Sequence, residues 1–489
     1  MFGRWMVALA ASLVTVSVHA EDAAALFARF KAASGGAAWD KATSLHIKGT
    51  MATGGLSGDI AAVQDLVRGR SVATYKLGGV EGADGYDGTT GWSVGPGGEV
   101  TALDAPEAKR RAVTQAWLNA NGYWYPERMQ ATYGPVDAKT ADGKTFRVVE
   151  ATPVGGDPVG LWFDPTSGLL ARVVQREAQD TSTSVYEDYR DVGGVRMAYH
   201  YVTDRTDAAG RTDPRARVDI HYTDVALNGA IADADFAMPE MAATARIADA
   251  SGVTKIHFDL VNNHIYADGT IDGKKARFLV DTGGSNVLTP AAAQKFGIKG
   301  EGDLPGRGVG EQSVKAQLAH VGEVTLGGAS LAKPVFVILD LGNLTSVEGV
   351  DFDGLVGFEM FRRFGVTIDY AGHVLTLADP NKFVPPAGAA VVPFELSDTT
   401  PLVAGTLDGE AIRVSVDTGS RSSLSMHSPF VRAHDLVARY HAAPEAVVGW
   451  GVGGPSRGRP ARFGTLKLGD QEIRGVAGDL YTGDKGAFS

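Results

Sequence analysis

Short apolar runs alternate with Gly, Asp and Pro along most of the chain, the texture of strands joined by tight turns. Between 21 and about 240, helical spacing of apolar residues shows at 23–33 and 106–118. Around them, 45–49, 72–77, 146–151, 160–164, 170–175 and 218–222 read as strands of an antiparallel sheet. Asp84-Gly85, Asp142-Gly143 and Asp164-Pro-Thr-Ser-Gly168 read as hairpin turns, because these residues tolerate the backbone angles a reversal needs. After Phe236-Ala-Met-Pro239 the chain turns small and polar, and 241–254 reads as a linker. From Lys255 onward the strands are richer in Val, Ile and Leu, and the pattern repeats itself.

The first copy runs Gly269-Thr-Ile-Asp-Gly273 and then Ala276-Arg-Phe-Leu-Val-Asp281-Thr-Gly283-Gly284-Ser285. The second runs Gly405-Thr-Leu-Asp-Gly409 and then Ile412-Arg-Val-Ser-Val-Asp417-Thr-Gly419-Ser420. Downstream, Gly308-Val-Gly310 is answered by Gly451-Val-Gly453, and Val324-Thr-Leu-Gly327 by Leu466-Lys-Leu-Gly469. Chance does not keep that order and spacing, so 255–388 and 389–489 are expected to be two homologous lobes.

Length and composition add limits. A chain of 489 residues exceeds one ordinary core, so a β domain at 21–240 is expected ahead of the two lobes. Residues 1–20 combine Arg4, an apolar run from Met6 to Val18 and Val18-His19-Ala20, the pattern of a secretory signal peptide. That run is shorter than the ~20 residues that span a bilayer, so an exported protein, periplasmic or secreted, without a stable membrane anchor is expected. With no cysteine there is no disulfide framework and no thiolate metal site. The net charge of −11 makes nucleic acid a poor partner.

An aspartate placed directly after an apolar strand and before Thr-Gly sits at a tight turn, where backbone holds its carboxylate. Two such turns facing each other across a pseudo-twofold axis would bring two carboxylates together. Such a pair cannot ionise fully and shares one proton, one member serving as base and the other as acid toward a water between them. Gly283 and Gly419 allow close backbone approach, while Thr282 and Thr418 offer hydroxyls that can brace the two loops.

These residues resemble the pepsin-like and retropepsin-like aspartic peptidases, whose signature is two apolar residues, Asp, Thr or Ser, Gly, and then Thr, Ser or Ala. The likeness continues through Asp353-Gly-Leu355-Val356-Gly357 and Phe364-Gly-Val-Thr-Ile-Asp-Tyr370 and covers about 255–489. It implies that Asp281 and Asp417 are the catalytic pair, that Thr282, Gly283, Thr418, Gly419 and Ser420 support them, and that Gly308, Val309, Gly310, Trp450 and Gly451 lie at the flaps over a cleft. It implies a peptide or protein substrate and no cofactor.

Two departures from the family pattern stand out. Gly284 replaces the usual hydroxyl or alanine, which implies a missing hydrogen bond to the outer oxygen of Asp281. The second copy runs only 10 residues beyond Asp479, where the first runs 37 beyond its counterpart Asp340, so a shortened second lobe without a partner for Leu355-Val356-Gly357 is expected.

Other motifs carry less. Gly449-x-Gly451-x-x-Gly454 opens no helix and lies in no βαβ unit, so a flap hairpin explains it better than a dinucleotide site. The 11 histidines show no His-Glu-x-x-His spacing, and no metal is expected. Trp92, Trp117, Tyr123, Trp124 and Tyr125, with the order of one helix and then many strands, make 21–240 similar to the half-barrel proteins that carry lipoproteins or other apolar ligands across the periplasm. Those aromatics equally suit an ordinary sheet core. The expected architecture is therefore mainly β: an antiparallel half-barrel-like domain, then a bilobal acid-protease-like β-barrel module. Its rivals are an apolar-ligand or lipoprotein binding protein with an idle peptidase-like module, and lobes that pair with their twins on another molecule.

Overall fold

A computed structural model describes residues 22–177, 180–342, 344–397, 399–483, 485, 486 and 488; the leader expected at 1–20 lies outside them. The chain is mainly β, as expected. A 14-stranded sheet occupies the first half. Ser44–Thr53 pairs antiparallel with Leu56–Asp65 on one side and with Val218–Leu227 on the other. The first and last strands thus meet in the middle, and the sheet ends at Val100–Leu103 and Ala131–Tyr133 without closing.

Two helices cover part of this sheet. Ala23–Ala33 starts where the Asp22 carboxylate caps the Ala25 N–H at 2.7 Å, and it buries Leu26, Phe27 and Phe30. Pro106–Asn119 begins on a proline whose missing N–H costs nothing in the first turn. Trp117, Tyr123 and Trp124 join Phe30 and Phe163 in one core, so these aromatics act as packing. Trp92 is buried and donates from Nε1 to the Phe236 carbonyl at 2.9 Å, pinning the end of this half onto its sheet. Beside the second helix remains a cavity of about 450 Å³ lined by Val72, Trp92, Ala108, Arg111 and Gln115 among others.

Asp84-Gly85 is not a turn. Both residues lie inside the strand Val80–Tyr86, with Gly85 opposite Trp92, where a Cβ would run into the indole. The other two expected turns join strands, and Asp164 closes its own with side-chain bonds to the Thr166 and Ser167 amides. The longest strands, Asp180–Val192 and Val195–Asp207, are polar on much of both faces and carry little apolar periodicity. Within the stretch read as a linker, Ala245–Ile247 pairs with Ala329–Ala332. No helix among the described residues is long and apolar enough to cross a membrane.

The repeat in sequence is also a repeat in strand register. His264–Ile271 and Lys274–Val280 form a hairpin through Asp272-Gly273, both at positive φ; Thr400–Leu407 and Glu410–Ser415 form its counterpart through Asp408-Gly409, again both positive. Gly269 pairs with Leu326 as Gly405 pairs with Leu468. Val287–Leu288 runs parallel to Val335–Leu339 as Ser425–Met426 runs parallel to Ala477–Leu480.

One element has no twin. Gly354–Val356 lies parallel to Lys274–Val280 and covers its outer edge, whereas among the described residues Glu410–Ser415 pairs with Thr400–Leu407 alone. As a result Val280 is 1% exposed, and its counterpart Val416 is 43% exposed. Val280→Ala is expected to cost about 2 kcal/mol of stability, and Val416→Ala to stay within about 0.5 kcal/mol. Urea denaturation of the two variants measures the contrast.

Candidate active site

Each expected aspartate leaves the end of a hairpin strand. Asp281 follows Lys274–Val280, whose Phe278, Leu279 and Val280 are buried, and its N–H bonds the Val356 carbonyl at 3.0 Å. Asp417 follows Glu410–Ser415, and the residue before it, Val416, bonds the Pro401 carbonyl at 3.0 Å. The turns are therefore anchored by backbone on the side away from their carboxylates.

The two Thr-Gly turns meet and brace each other reciprocally. Thr282 Oγ1 donates to the Val416 carbonyl at 2.8 Å and accepts from the Thr418 N–H at 3.0 Å. Thr418 Oγ1 donates to the Val280 carbonyl at 2.9 Å and accepts from the Thr282 N–H at 3.0 Å. Each hydroxyl is used once as donor and once as acceptor, so neither threonine can turn without leaving partly buried groups of both loops unpaired. Four bonds across 134 to 138 positions of sequence fix the separation of the two turns.

That brace sets the carboxyl groups of Asp281 and Asp417 within hydrogen-bonding reach of one another. Gly283 N–H donates to Asp281 Oδ1 at 2.9 Å, and Gly419 N–H donates to Asp417 Oδ1 at 2.8 Å, a second matched pair. Both glycines are required by contact, since a Cβ on Gly283 would lie 2.7 Å from the Asp417 Cγ and one on Gly419 would run into the Asp281 carboxylate. Asp281 is half-buried and Asp417 exposed. Burial first, and the neighbouring Asp417 second, push the Asp281 carboxyl up to about 7 against the opposing amides of Gly283 and Gly284.

Gly284 offers Asp281 backbone in place of a side chain: its amide works against the upward shift of the carboxyl, and a Cβ there would strike Asp281 Oδ2. Ser420 is half-buried beside Asp417, with its N–H bonded to the Asp417 carbonyl at 3.4 Å.

Four supporting residues escaped the sequence reading. The buried His264 donates from Nε2 to the Gly419 carbonyl at 2.9 Å, and its Nδ1 lies 3.0 Å from the buried Glu348 Oε2. The first repeat thereby holds the second aspartate's turn. On the other side, buried Asn286 accepts from the Gly357 N–H at 3.1 Å and donates to Glu359 Oε2 at 2.8 Å. Gly284 in turn accepts the Phe358 N–H at 2.9 Å, so Asn286 and Glu359 secure the strand that flanks Asp281. Burial pushes the Glu359 carboxyl up to about 7 despite Arg363. No motif marks these residues; only the His264-Glu348 and Asn286-Glu359 contacts reveal them.

The flap positions also come together. The loop after Glu301–Gly306 carries Gly308, Val309 and Gly310, and the hairpin of Ala446–Gly451 and Gly454–Arg462 carries Trp450 and Gly451. Gly310 N–H bonds the Val452 carbonyl at 2.9 Å and Gln312 N–H bonds the Gly453 carbonyl at 3.2 Å, tip to tip. Trp450 and Val452 pack against an apolar cluster of the first repeat that includes Tyr266, Leu339, Leu344 and Phe352. Trp450 is thus a packing residue between the repeats in this closed arrangement.

The brace makes a direct prediction. Thr282→Val keeps the shape and removes the hydroxyl, stranding the Thr418 N–H and the Val416 carbonyl. It is expected to cost about 1–3 kcal/mol in urea denaturation, with Thr282→Ser retaining most of the stability.

Among known proteins, no curated sequence matches the chain. A retropepsin-like aspartic protease from Rickettsia conorii is 27% identical, covering 26% of this chain and 89% of its own, with a TM-score of 0.20. A LolA superfamily protein from Nitrosomonas europaea is 14% identical, covering 45% of this chain and 98% of its own, with a TM-score of 0.30. Residues 267–360, the segment that carries Asp281, its flanking strand Gly354–Val356 and the loop with Gly308 to Gly310, match the family model described as Aspartyl protease.

Proposed function

We propose that the protein is an exported aspartic endopeptidase in which Asp281 and Asp417 activate a water for attack on a peptide carbonyl. The observation that carries this reading is the reciprocal Thr282 and Thr418 brace, which sets two carboxyl groups in mutual hydrogen-bonding reach at the matched ends of a duplicated hairpin. The match of 267–360 to aspartyl proteases supports the same chemistry. The leader pattern at 1–20 supports export.

In this reading the pair holds one proton, mainly on the more enclosed Asp281, and titrates as a unit. Asp417 takes a proton from the water as its oxygen bonds to the carbonyl carbon. Asp281 gives its proton to the carbonyl oxygen, which becomes a gem-diol hydroxyl. Collapse of that intermediate breaks the C–N bond; the proton held by Asp417 passes to the departing nitrogen, and a gem-diol proton returns to Asp281. Substrate enters when the tip contact between Gly310 and Val452 opens, and closure excludes bulk water from the carboxyls.

The cavity beside Pro106–Asn119 supports a second reading, in which the N-terminal sheet captures an apolar or lipidated ligand. The two readings separate in one variant. Asp281→Asn is expected to lower cleavage of a peptide library by about 10²–10⁴-fold while leaving any ligand bound at that cavity unchanged; undiminished cleavage would sink the peptidase.

Acidity gives a further test. A shared proton is needed for turnover, so cleavage should fall as pH rises through about 7, where Asp281 loses its proton. The linkage to stability has the same sign. The folded protein holds that proton more tightly than the unfolded chain, so stability declines from near pH 4 to about 7, and Asp281→Asn should flatten that part of the profile. Chemical denaturation at a series of pH values measures it.

A further inference from the structure

On the outer face of the N-terminal sheet, far in sequence from the aspartates, three antiparallel strands place Glu187, His200 and His221 in one row: Glu187 is opposite His200, and His200 is opposite His221. Asp219 lies two residues before His221 and so on the same face. The two imidazole rings stack at 4.0 Å with 7° between their planes, and both Nε2 atoms approach the same oxygen, Asp219 Oδ1, at 3.1 and 3.0 Å. The other ring nitrogen of His200, Nδ1, faces Glu187 Oε2 at 3.0 Å.

With both rings neutral, this arrangement sets one acceptor against another. A neutral imidazole has one N–H, yet His200 meets a carboxylate oxygen at each nitrogen, and carboxylates only accept. If Nδ1–H bonds Glu187, then the Nε2 lone pair faces the lone pairs of Asp219. A second N–H on His200 alone would satisfy Glu187 and Asp219 together, with His221 donating to the same Asp219 oxygen; a bound cation is the alternative that keeps both rings neutral. A divalent ion accepting both Nε2 lone pairs and Asp219 Oδ1 removes the conflict at neutral pH, and with neutral rings it meets two carboxylate charges.

We propose that His200, Asp219 and His221 bind a divalent first-row transition ion of the zinc class, with Glu187 orienting His200 from behind. The three ligand atoms lie within 4.8 Å of one another. Bond lengths of about 2.0–2.2 Å to zinc put tetrahedral ligand atoms about 3.3 Å apart, which the two N–O separations nearly match, while the rings must turn out of their parallel stack to aim both Nε2 lone pairs at one ion. The mixed nitrogen and carboxylate set suits zinc, and disfavours calcium or magnesium, which take oxygen. His221 and Asp219 are open to solvent, leaving a route in and a fourth position for water. Glu187 and His200 repeat the carboxylate–histidine pairing that fixes the tautomer of metal-binding imidazoles. Asp188 lies near both rings, but its carboxylate is tied to Arg190 at 2.5 Å. Bound there, the ion would staple Asp180–Val192, Val195–Asp207 and Val218–Leu227, the strands at the centre of the sheet.

The test is titration of tag-free, chelator-treated protein lacking residues 1–20 with Co²⁺, read by visible d–d absorption, followed by displacement with Zn²⁺ and by calorimetric Zn²⁺ titration. One saturable Co²⁺ site, with bands erased by one equivalent of Zn²⁺, is expected. His221→Gln, an exposed change, should abolish it with an unaltered far-ultraviolet circular dichroism spectrum. Glu187→Gln should weaken it about 10–100-fold, and Asp281→Asn should leave it intact. If His200→Gln fails to fold, Asp219→Asn replaces it as the second ligand variant. Absence of saturable binding by the unaltered protein, or binding undiminished in His221→Gln and Asp219→Asn, overturns the proposal.

Discussion

Everything at the candidate site depends on keeping two acidic groups closer than their charges favour. Left alone, two carboxyls in contact would separate or both become neutral, and the loops carrying them would drift. Here neither loop is free to do so, because each threonine is held by a carbonyl and an amide of the opposite repeat. The turn amides of Gly283 and Gly419 then compensate part of the negative charge from inside the same loops. The glycines follow from this closeness, since any side chain there would occupy the space of the opposite carboxyl.

Around that contact the two repeats contribute unequally. The first has the covered strand, the buried Val280, and the Asn286 and Glu359 support behind it. The second offers a thinner sheet and an exposed Val416, and borrows order from the first through His264 and through Trp450. The N-terminal sheet adds restraint of its own. Arg362 reaches the Val100 carbonyl at 3.0 Å and Arg363 the Gly97 carbonyl at 3.0 Å, which ties the helix Phe358–Arg363, next to Gly357, to a hairpin of the other sheet.

How much of this was legible in the sequence varies by physical cause. Asp272-Gly273 and Asp408-Gly409 were readable because a two-residue turn demands positive φ, and few residues accept it. Asp281 and Asp417 drew attention by recurring at matched places in a repeat. Asp84-Gly85 used the same letters for a different purpose, a strand position emptied to admit Trp92, and local reading could not tell the two apart. Asp180–Val192 and Val195–Asp207 escaped because two partly polar faces leave no period to detect. His264, Asn286 and Glu359 escaped because their roles exist only after residues 71 to 155 positions away arrive beside them.

The covalent joining of the repeats has a consequence of its own. In an assembly of two identical subunits, symmetry makes the acidic partners equivalent, and the location of a shared hydrogen is a coin toss renewed at each event. A single polypeptide is under no such obligation. By half-burying Asp281 and leaving Asp417 open to water, this chain makes its two acidic groups unequal before anything binds, and under the proposed chemistry a docking polypeptide would meet the same polarity every time.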